Sequence, residues 1–189
     1  MNDSTNNFLK ESADIISAIA KNPPGEIELI AHVIINAFKN NSKVLIFGNG
    51  GSASDAEHFT AELIGRFKME RKGLAAIALT TNTAALSALA NDYNFDIVFE
   101  RQIEALGSVG DIAIGISTSG QAVNVIKGFK LAKKLGLTTI ALSGQNGTNL
   151  KEITDLTLLI QSTDTPHIQE AHILIIHTIC KIVEEALFT

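Results

Sequence analysis

The apolar positions of the chain form two patterns that alternate along most of its length. Five short runs are apolar at nearly every position and rich in β-branched residues, which is typical of strands covered on both faces. These runs are Lys43–Phe47, Leu74–Leu79, Asp111–Ile116, Thr138–Leu142 and Leu156–Ile160. The stretches between them have helical patterns, over Ala53–Arg66, Thr83–Ala90, Asp96–Leu106 and Gln121–Leu135. This alternation predicts an α/β fold with a doubly wound, five-stranded parallel sheet.

Further helices are predicted on both sides of the sheet region. Two leading helices, around Thr5–Ala20 and Glu26–Lys39, are separated by Asn22–Gly25, where the prolines end one helix and the glycine permits a turn. A long helix from about Pro166 to Leu187 closes the chain, with proline in its first turn. With 189 residues, the chain is predicted to be one domain: leading helices over 1–40, the sheet core over 43–160 and a C-terminal helix over 166–187.

Composition narrows the class of protein. Hydrophobic residues make up 46% and charged residues 19%, which excludes a disordered chain and predicts a large core with further apolar surface buried between subunits. The net charge of −5, without a basic cluster, argues against nucleic-acid binding. Neither a membrane span nor a signal peptide is expected from the sequence. The lone Cys180 fits a reducing compartment, so we expect a cytoplasmic protein.

Two loops at the carboxyl ends of predicted strands have the chemistry of an anion site. Gly48–Ala53 (GNGGSA) can bring backbone amides close to an anion at a helix start. It also matches a dinucleotide pattern, but the second strand ends at Leu79–Asn82 without the acidic residue that a ribose would need. Ser117–Gln121 offers three hydroxyls, which suit either a phosphate or an ordinary helix cap. Their adjacent positions in the predicted sheet favour a phosphate site.

Several polar side chains could do chemistry beside these loops. His58 and Glu62 share one helix face at i, i+4 spacing, which suits a divalent metal, acid/base catalysis or a plain surface pair. Gln169 and His177 on the last helix are about 12 Å apart along its axis, so both reach one ion only if it lies between them. The pair Asn91-Asp92 is predicted in a loop, where it could bind sugar hydroxyls or form an Asx turn.

Four segments taken together closely resemble the phosphoheptose isomerases, a family with the sugar-isomerase (SIS) domain fold. The segments are GNGGSASDAEHFTAEL, ALANDYNF, GISTSG and IQEAHILIIHT, in that order along the chain. The resemblance implies a cytoplasmic homotetramer that converts D-sedoheptulose 7-phosphate to D-glycero-D-manno-heptose 7-phosphate for bacterial surface glycans. It also implies one zinc ion per subunit, a phosphorylated seven-carbon sugar as ligand, and neither nucleic acid nor membrane as partner.

The resemblance also implies residue roles. The implied zinc ligands are His58, Glu62, Gln169 and His177. The implied substrate contacts are Asn49, Gly50, Gly51, Ser52, Glu62, Asn91, Asp92, Ser117, Thr118, Ser119 and Gln169. An aldose–ketose isomerase moves a proton between C1 and C2 through an enediol(ate), with Glu62 as the expected C–H base and His177 as its acid/base partner. Because a carboxylate is not easily a tight metal ligand and a free base at once, which group moves the proton stays open.

The chain departs from the family pattern at three positions. Ala122 stands where the family often has a serine, which removes one phosphate hydrogen bond with a net value of about 1 kcal/mol. His167 stands where arginine is common, and Pro166 precedes it. The alternative function is that of a non-catalytic protein of this fold, which binds the bacterial replication initiator or senses a sugar phosphate. The sister group that binds the initiator lacks the glutamate and the second helix histidine, whereas this chain has Glu62 and His177.

Overall fold

A five-stranded, wholly parallel sheet forms the centre of the computed structural model, which describes residues 2–189. The strands are β1 (Val44–Gly48), β2 (Ala76–Ala78), β3 (Ile112–Ser117), β4 (Thr138–Gly144) and β5 (Leu156–Ile160). Their order across the sheet is β2-β1-β3-β4-β5, so the chain reverses its direction of winding between β1 and β3. The predicted doubly wound sheet is confirmed. In such sheets the crevice for ligands opens at this reversal, beyond the carboxyl ends of the strands.

Helices cover both faces of the sheet. They are α1 (Asn2–Lys21), α2 (Glu26–Lys39), α3 (Gly51–Ile64), α4 (Thr83–Asp92), α5 (Val98–Leu106), α6 (Val123–Lys134) and α7 (Thr165–Phe188). Short 3-10 helices span Phe95–Ile97 and Gln145–Glu152. No helix in residues 2–189 has the length and apolar character that a membrane crossing requires.

Two hydrophobic cores form because alternate residues of each strand point to opposite faces. Val44 and Ile46 of β1 pack with α2, α3 and α7, whereas Leu45 and Phe47 pack with α5 and α6. All four side chains are fully buried. Burial on both faces explains why the strands appear in the sequence as continuous apolar runs rather than as alternations. It also fixes α3 and α7 side by side on one face, beside the crevice.

The predicted element boundaries are confirmed to within a few residues, with two informative exceptions. The predicted strand Leu74–Leu79 shortens to Ala76–Ala78, because β2 lies at the sheet edge and pairs only with β1. The predicted helix Asp96–Leu106 is divided: Asn94 accepts a hydrogen bond from the Asp96 N–H and starts a 3-10 turn, and α5 begins only at Val98. Neither exception moves the residues around the crevice.

Candidate active site

A pocket of about 300 Å³ opens where β1 and β3 end, at the reversal of the sheet. It is lined by Asn49, Gly50, Gly51, Ser52, Ile116, Ser117, Thr118, Ser119, Ala122, Thr165 and Gln169. None of these residues carries a formal charge. The pocket therefore offers an anion only backbone N–H groups, hydroxyls and amides, together with the positive end of the α3 dipole.

The glycine loop, Gly48–Ala53, brings the start of α3 directly under this pocket. Gly50 has φ +58°, in the left-handed region that glycine adopts without strain, and it turns the chain sharply from β1 into α3. A Cβ on Gly51 would overlap the side-chain amide of Gln169, so the glycine leaves room for that amide beside the loop. Ser52, the next residue, is buried. The structure thus places Gln169 with the glycine loop.

A pair of asparagines joins the two halves of the pocket. Asn49 and Asn124 exchange two side-chain hydrogen bonds, of 2.8 and 2.9 Å, between the loop after β1 and the start of α6. Asn124 is buried and its Oδ1 also accepts from the Val125 N–H. Each polar atom of the Asn49 side chain therefore makes one bond to Asn124, which fixes the orientation of Asn49 at the pocket.

Residues of β4 and of the segment that follows it hold the serine loop, Ser117–Gln121, in place. The Ser143 hydroxyl donates to the Ser117 carbonyl at 2.5 Å, the Gly144 N–H donates to the Thr118 carbonyl at 3.1 Å, and the Asn149 amide donates to the Gly120 carbonyl at 3.0 Å. These bonds hold the carbonyl groups of Ser117, Thr118 and Gly120 toward β4 and the segment after it, while Ser117, Thr118 and Ser119 line the pocket.

The next helix starts two residues later than predicted, at Val123 rather than at Gln121. Gly120 has φ +67° and Ala122 is extended at ψ 113°, so the chain completes a turn before the helix can form. Ser117 therefore ends β3, and Thr118 and Ser119 lie on a separate turn rather than on the first turn of α6.

The predicted loop at Asn91-Asp92 is wrong. Both residues lie in the last turn of α4, which Tyr93 ends, and the Asn91 amide donates to Asp92 Oδ1 at 2.8 Å. Both side chains are exposed, and neither lines the pocket in this chain. The Asx turn that the sequence left open is thus replaced by helix.

A second polar group forms where the middle of α3 meets the middle of α7. His58 Nε2 lies 3.1 Å from Glu62 Oε1 and 3.2 Å from His177 Nε2, and one ligand atom from each residue lies within 4.8 Å of the others. The His58 side chain is 45% exposed and that of Glu62 is 22% exposed. Residues 119 positions apart in sequence are brought together because α3 and α7 pack side by side.

Gln169 lies nearer the start of α7 than His177 does. It is eight residues before His177 on α7, about 12 Å along the helix axis, and its amide packs against Gly51. Gly51 in turn precedes His58 on α3 by seven residues, about 10 Å. The site therefore has two ends on the same pair of helices: the anion pocket at one, and the cluster of His58, Glu62 and His177 at the other.

Similarity to known proteins identifies the family of this chain. The SIS domain model matches residues 7–144. The chain is 47% identical over 188 residues to phosphoheptose isomerase of Geobacter metallireducens, with 100% of both chains covered. It is 55% identical over 153 residues to that of Helicobacter pylori strain P12, covering 81% of this chain and 80% of the relative. The chain belongs to the phosphoheptose isomerase family.

Solved structures agree with this assignment. A phosphoheptose isomerase from Francisella tularensis superposes with a TM-score of 0.93 at 36% identity, over 97% of each chain. The family resemblance inferred from the four sequence segments is thereby confirmed, and the chain is an isomerase enzyme. The SIS domain fold, including the long C-terminal helix, is confirmed by the same superposition.

Sequence reasoning missed three residues at this phosphoheptose isomerase site. Thr165, the first residue of α7, lines the pocket together with Ala122, and Asn124 fixes Asn49. Asp55 lies one turn before His58 on α3; burial raises its pKa to about 6, although nearby His58 opposes the rise. Of the three, only Asp55 could have been found from the sequence. It precedes His58 by three residues and Glu62 by seven, so all three lie on one face of the helix.

Proposed function

We propose that this chain converts D-sedoheptulose 7-phosphate to D-glycero-D-manno-heptose 7-phosphate by proton transfer between C1 and C2. The observation that carries the proposal is the two-ended site on α3 and α7. An uncharged pocket suited to an anion lies about 10 Å along α3 from a carboxylate and two imidazoles. This is about the separation between the phosphate and the carbonyl end of an open seven-carbon sugar phosphate.

At the phosphate end, the hydroxyls of Ser117, Thr118 and Ser119 and the backbone N–H of Gly51 at the start of α3 would bind the phosphate oxygens. Ala122 contributes no hydrogen bond. Thr165 lines the same pocket, so its hydroxyl can supply the bond that a serine at position 122 would make. We therefore expect phosphate binding to survive the departure at Ala122.

At the reacting end, the Glu62 carboxylate would take the proton from one carbon and return it to its neighbour. The His177 imidazole would move a proton between the two sugar oxygens, so that the net reaction is an isomerisation without an oxidant or reductant. His58 lies between the two groups, 3.1 Å from Glu62 and 3.2 Å from His177.

The donor set at the reacting end fits zinc. Two imidazole nitrogens and a carboxylate oxygen are common ligands of catalytic zinc, and tetrahedral bonds of about 2.0–2.2 Å place neighbouring donor atoms about 3.3–3.5 Å apart. The separations of 3.1 and 3.2 Å are close to this spacing. His58, Glu62 and His177 would hold the ion, and bound zinc would supply a Lewis acid that polarises the sugar oxygens. Gln169 is the fourth ligand that the family implies, and its role toward the ion stays a prediction.

We also propose that the chain works in the cytoplasm as a homotetramer whose product enters bacterial surface-glycan synthesis. Exposed apolar side chains on the leading helix, Phe8 and Leu9, support an association between subunits. Covering an apolar helical surface of this kind with a second copy is favourable, because apolar area is removed from water.

The proposal is tested by incubating purified protein with sedoheptulose 7-phosphate and following the aldose product by NMR. Turnover that disappears on dialysis against a chelator and returns with zinc supports both the reaction and the metal. Turnover that survives verified metal removal would reject the role of zinc, and absence of turnover in zinc-loaded protein would reject the substrate. The unphosphorylated ketoheptose serves as the control, since the pocket is expected to require the phosphate.

A variant at Asn124 tests the phosphate end by itself. Asn124→Ala removes both bonds to Asn49, each with a net value of about 1 kcal/mol, so we expect KM to rise about 5- to 30-fold. We expect kcat to change little, because the reacting end is about 10 Å away. Steady-state kinetics measure both. Gln102→Ala is the matched control: it also removes two hydrogen bonds of a buried amide, but outside the pocket. An equal rise of KM in both variants would contradict the assignment.

A further inference from the structure

A buried ion pair joins the end of α3 to α7, and none of the chemistry above uses it. Arg71 Nε lies 2.8 Å from Glu184 Oε1, and the two side chains are 2% and 3% exposed. Arg71 belongs to the segment that follows α3, and Glu184 lies near the end of α7. The ring of Phe188 lies over the guanidinium, 5.5 Å from its central carbon.

Glu184 organises the segment between α3 and β2. Its carboxylate accepts hydrogen bonds from the backbone N–H groups of Phe67, Lys68 and Met69, at 3.0, 2.7 and 3.0 Å. Burial raises the pKa of Glu184, but these N–H groups and the Arg71 guanidinium outweigh it and hold the pKa below its usual value. The carboxylate is therefore ionised, and it fixes an otherwise irregular stretch of backbone.

Arg71 fixes the last turn of α3. Its Nη2 donates to the Glu62 carbonyl at 2.8 Å, and its Nη1 donates to the Leu63 carbonyl at 2.9 Å. The last carbonyls of a helix have no partner within the helix, so an external donor decides how rigidly that turn is held. Here the donor acts on the backbone of Glu62, the residue proposed as the base.

The same arrangement reaches His177. Glu184 follows His177 by seven residues, two turns of α7, so both lie on nearly the same face of the helix. Phe67, whose backbone N–H donates to Glu184, also lies beside His177: the centroids of the two rings are 5.7 Å apart. The ion pair thus connects three parts of the site: the backbone of Glu62, Phe67 beside the His177 ring, and α7, which carries His177.

Fold stability alone gives little reason for such a pair. Removing two charges from water is costly, and well-packed apolar side chains of the same volume are often equally or more stabilising. An ion pair fixes directions and distances that apolar contacts leave looser, because its hydrogen bonds are directional. The contacts of Arg71 and Glu184 converge on the two proposed acid/base groups.

We propose that Arg71 and Glu184 are positioning residues that set the separation between the Glu62 carboxylate and the His177 imidazole. The inference rests on the proposed function in that it takes these two groups as the reacting pair. Neither residue is proposed to contact the substrate.

Two conservative variants test the proposal. Glu184→Gln keeps the shape of the side chain but removes its charge, and Arg71→Lys keeps the charge but removes the fork that reaches α3. We expect kcat and zinc affinity to fall about 10- to 100-fold in each, as for supporting residues around other metal sites. We expect KM to stay within about twofold, because the anion pocket lies about 10 Å away along α3. Steady-state kinetics and zinc competition with a chelating dye give these values.

Asp111→Asn is the matched control for the loss of a buried carboxylate. Asp111 is 4% exposed and pairs with Lys43, and it also accepts hydrogen bonds from the backbone N–H groups of Lys43 and Ser108 at the opposite end of the sheet. We expect it to lower Tm about as much as Glu184→Gln while leaving kcat and zinc affinity unchanged. If Glu184→Gln and Arg71→Lys also lower only Tm, the pair is merely structural and the proposal is wrong.

Crystal structures of the wild type and of Arg71→Lys separate this inference from the proposed function. We expect the distance between His177 Nε2 and the nearer Glu62 oxygen to widen or become variable in the variant. An unchanged distance overturns positioning even if the wild type turns over sedoheptulose 7-phosphate. A widened distance supports positioning even if the wild type does not, in which case the proposed reaction alone fails. If Glu184→Gln does not fold, Arg71→Lys decides.

Discussion

Replacing Glu62 with glutamine is expected to lower kcat about 10²- to 10⁴-fold, the usual contribution of a positioned acid/base group. Glutamine has nearly the same shape but cannot accept the C–H proton, so the loss would be chemical rather than steric. The measurement is initial-rate kinetics with sedoheptulose 7-phosphate, in zinc-loaded protein. Because the phosphate end is untouched, we expect KM to change much less than kcat.

Stability is not expected to explain that loss. The pair of Glu62 with His58 is 3.1 Å long and partly solvent-accessible, and pairs open to solvent contribute about 0–1 kcal/mol. Tm should therefore stay nearly constant in Glu62→Gln. Glu57→Gln is the control, since Glu57 is exposed on the same helix and belongs to neither end of the site. Full turnover by Glu62→Gln would remove Glu62 from the catalytic role and leave His177 and His58 as the remaining bases.

The sheet could be predicted from the sequence because burial on both faces leaves a strong local signal. Val44 to Phe47 are all fully buried, so every position of β1 is apolar, and the run can be recognised without any knowledge of its neighbours. Edge strand β2 has less of this signal, since its middle residue, Ile77, is only partly buried. The prediction accordingly overestimated β2, whereas the other edge strand, β5, was predicted with its observed bounds and the interior strands to within two residues.

The anion pocket could be predicted because its residues are local in sequence and its place in the fold follows from topology. Gly50 and Ser119 belong to short loops after β1 and β3, and the order of strands places these loops together. Asn124 and Thr165 could not be found in this way. Each is an ordinary polar residue near a helix start, and only the packing of α6 and α7 shows that it faces the pocket or holds it.

The separation of the two ends of the site required the structure. The family resemblance implied Gln169 and His177 around one ion, whereas helix geometry alone showed only that they are about 12 Å apart along α7. The packing partners supply the missing information: Gly51 accepts Gln169 against its backbone, whereas His58 meets His177 two turns further along α3. Distances across a helix pair depend on its register, which no spacing within one helix determines.

Gly120→Ala is expected to destabilise the fold by about 3 kcal/mol and to raise KM in the protein that remains folded. Gly120 has φ +67°, where a side chain costs about 1–2 kcal/mol, and a Cβ there would overlap the backbone of Gly147. Unlike the tip of a side chain, that backbone cannot move aside without disturbing the 3-10 helix that begins after β4. Since about 1 kcal/mol shifts Tm by 2–4 °C in a chain of this size, we expect a fall of about 6–12 °C.

Gly110→Ala separates backbone strain from steric overlap. Gly110 also has positive φ, +88°, but a Cβ there would only approach the Ser42 hydroxyl at 3.3 Å, and a side-chain hydroxyl can rotate away. This control should therefore lose only the strain, about 1–2 kcal/mol, and should leave KM unchanged because Gly110 precedes β3 at the opposite end from the pocket. If both variants lose the same Tm and neither changes KM, contact with Gly147 does not hold the serine loop in its binding conformation. A larger loss for Gly120→Ala, with weaker phosphosugar binding, means that the turn between Ser119 and α6 is fixed by backbone packing and that this packing presents the hydroxyls to the ligand.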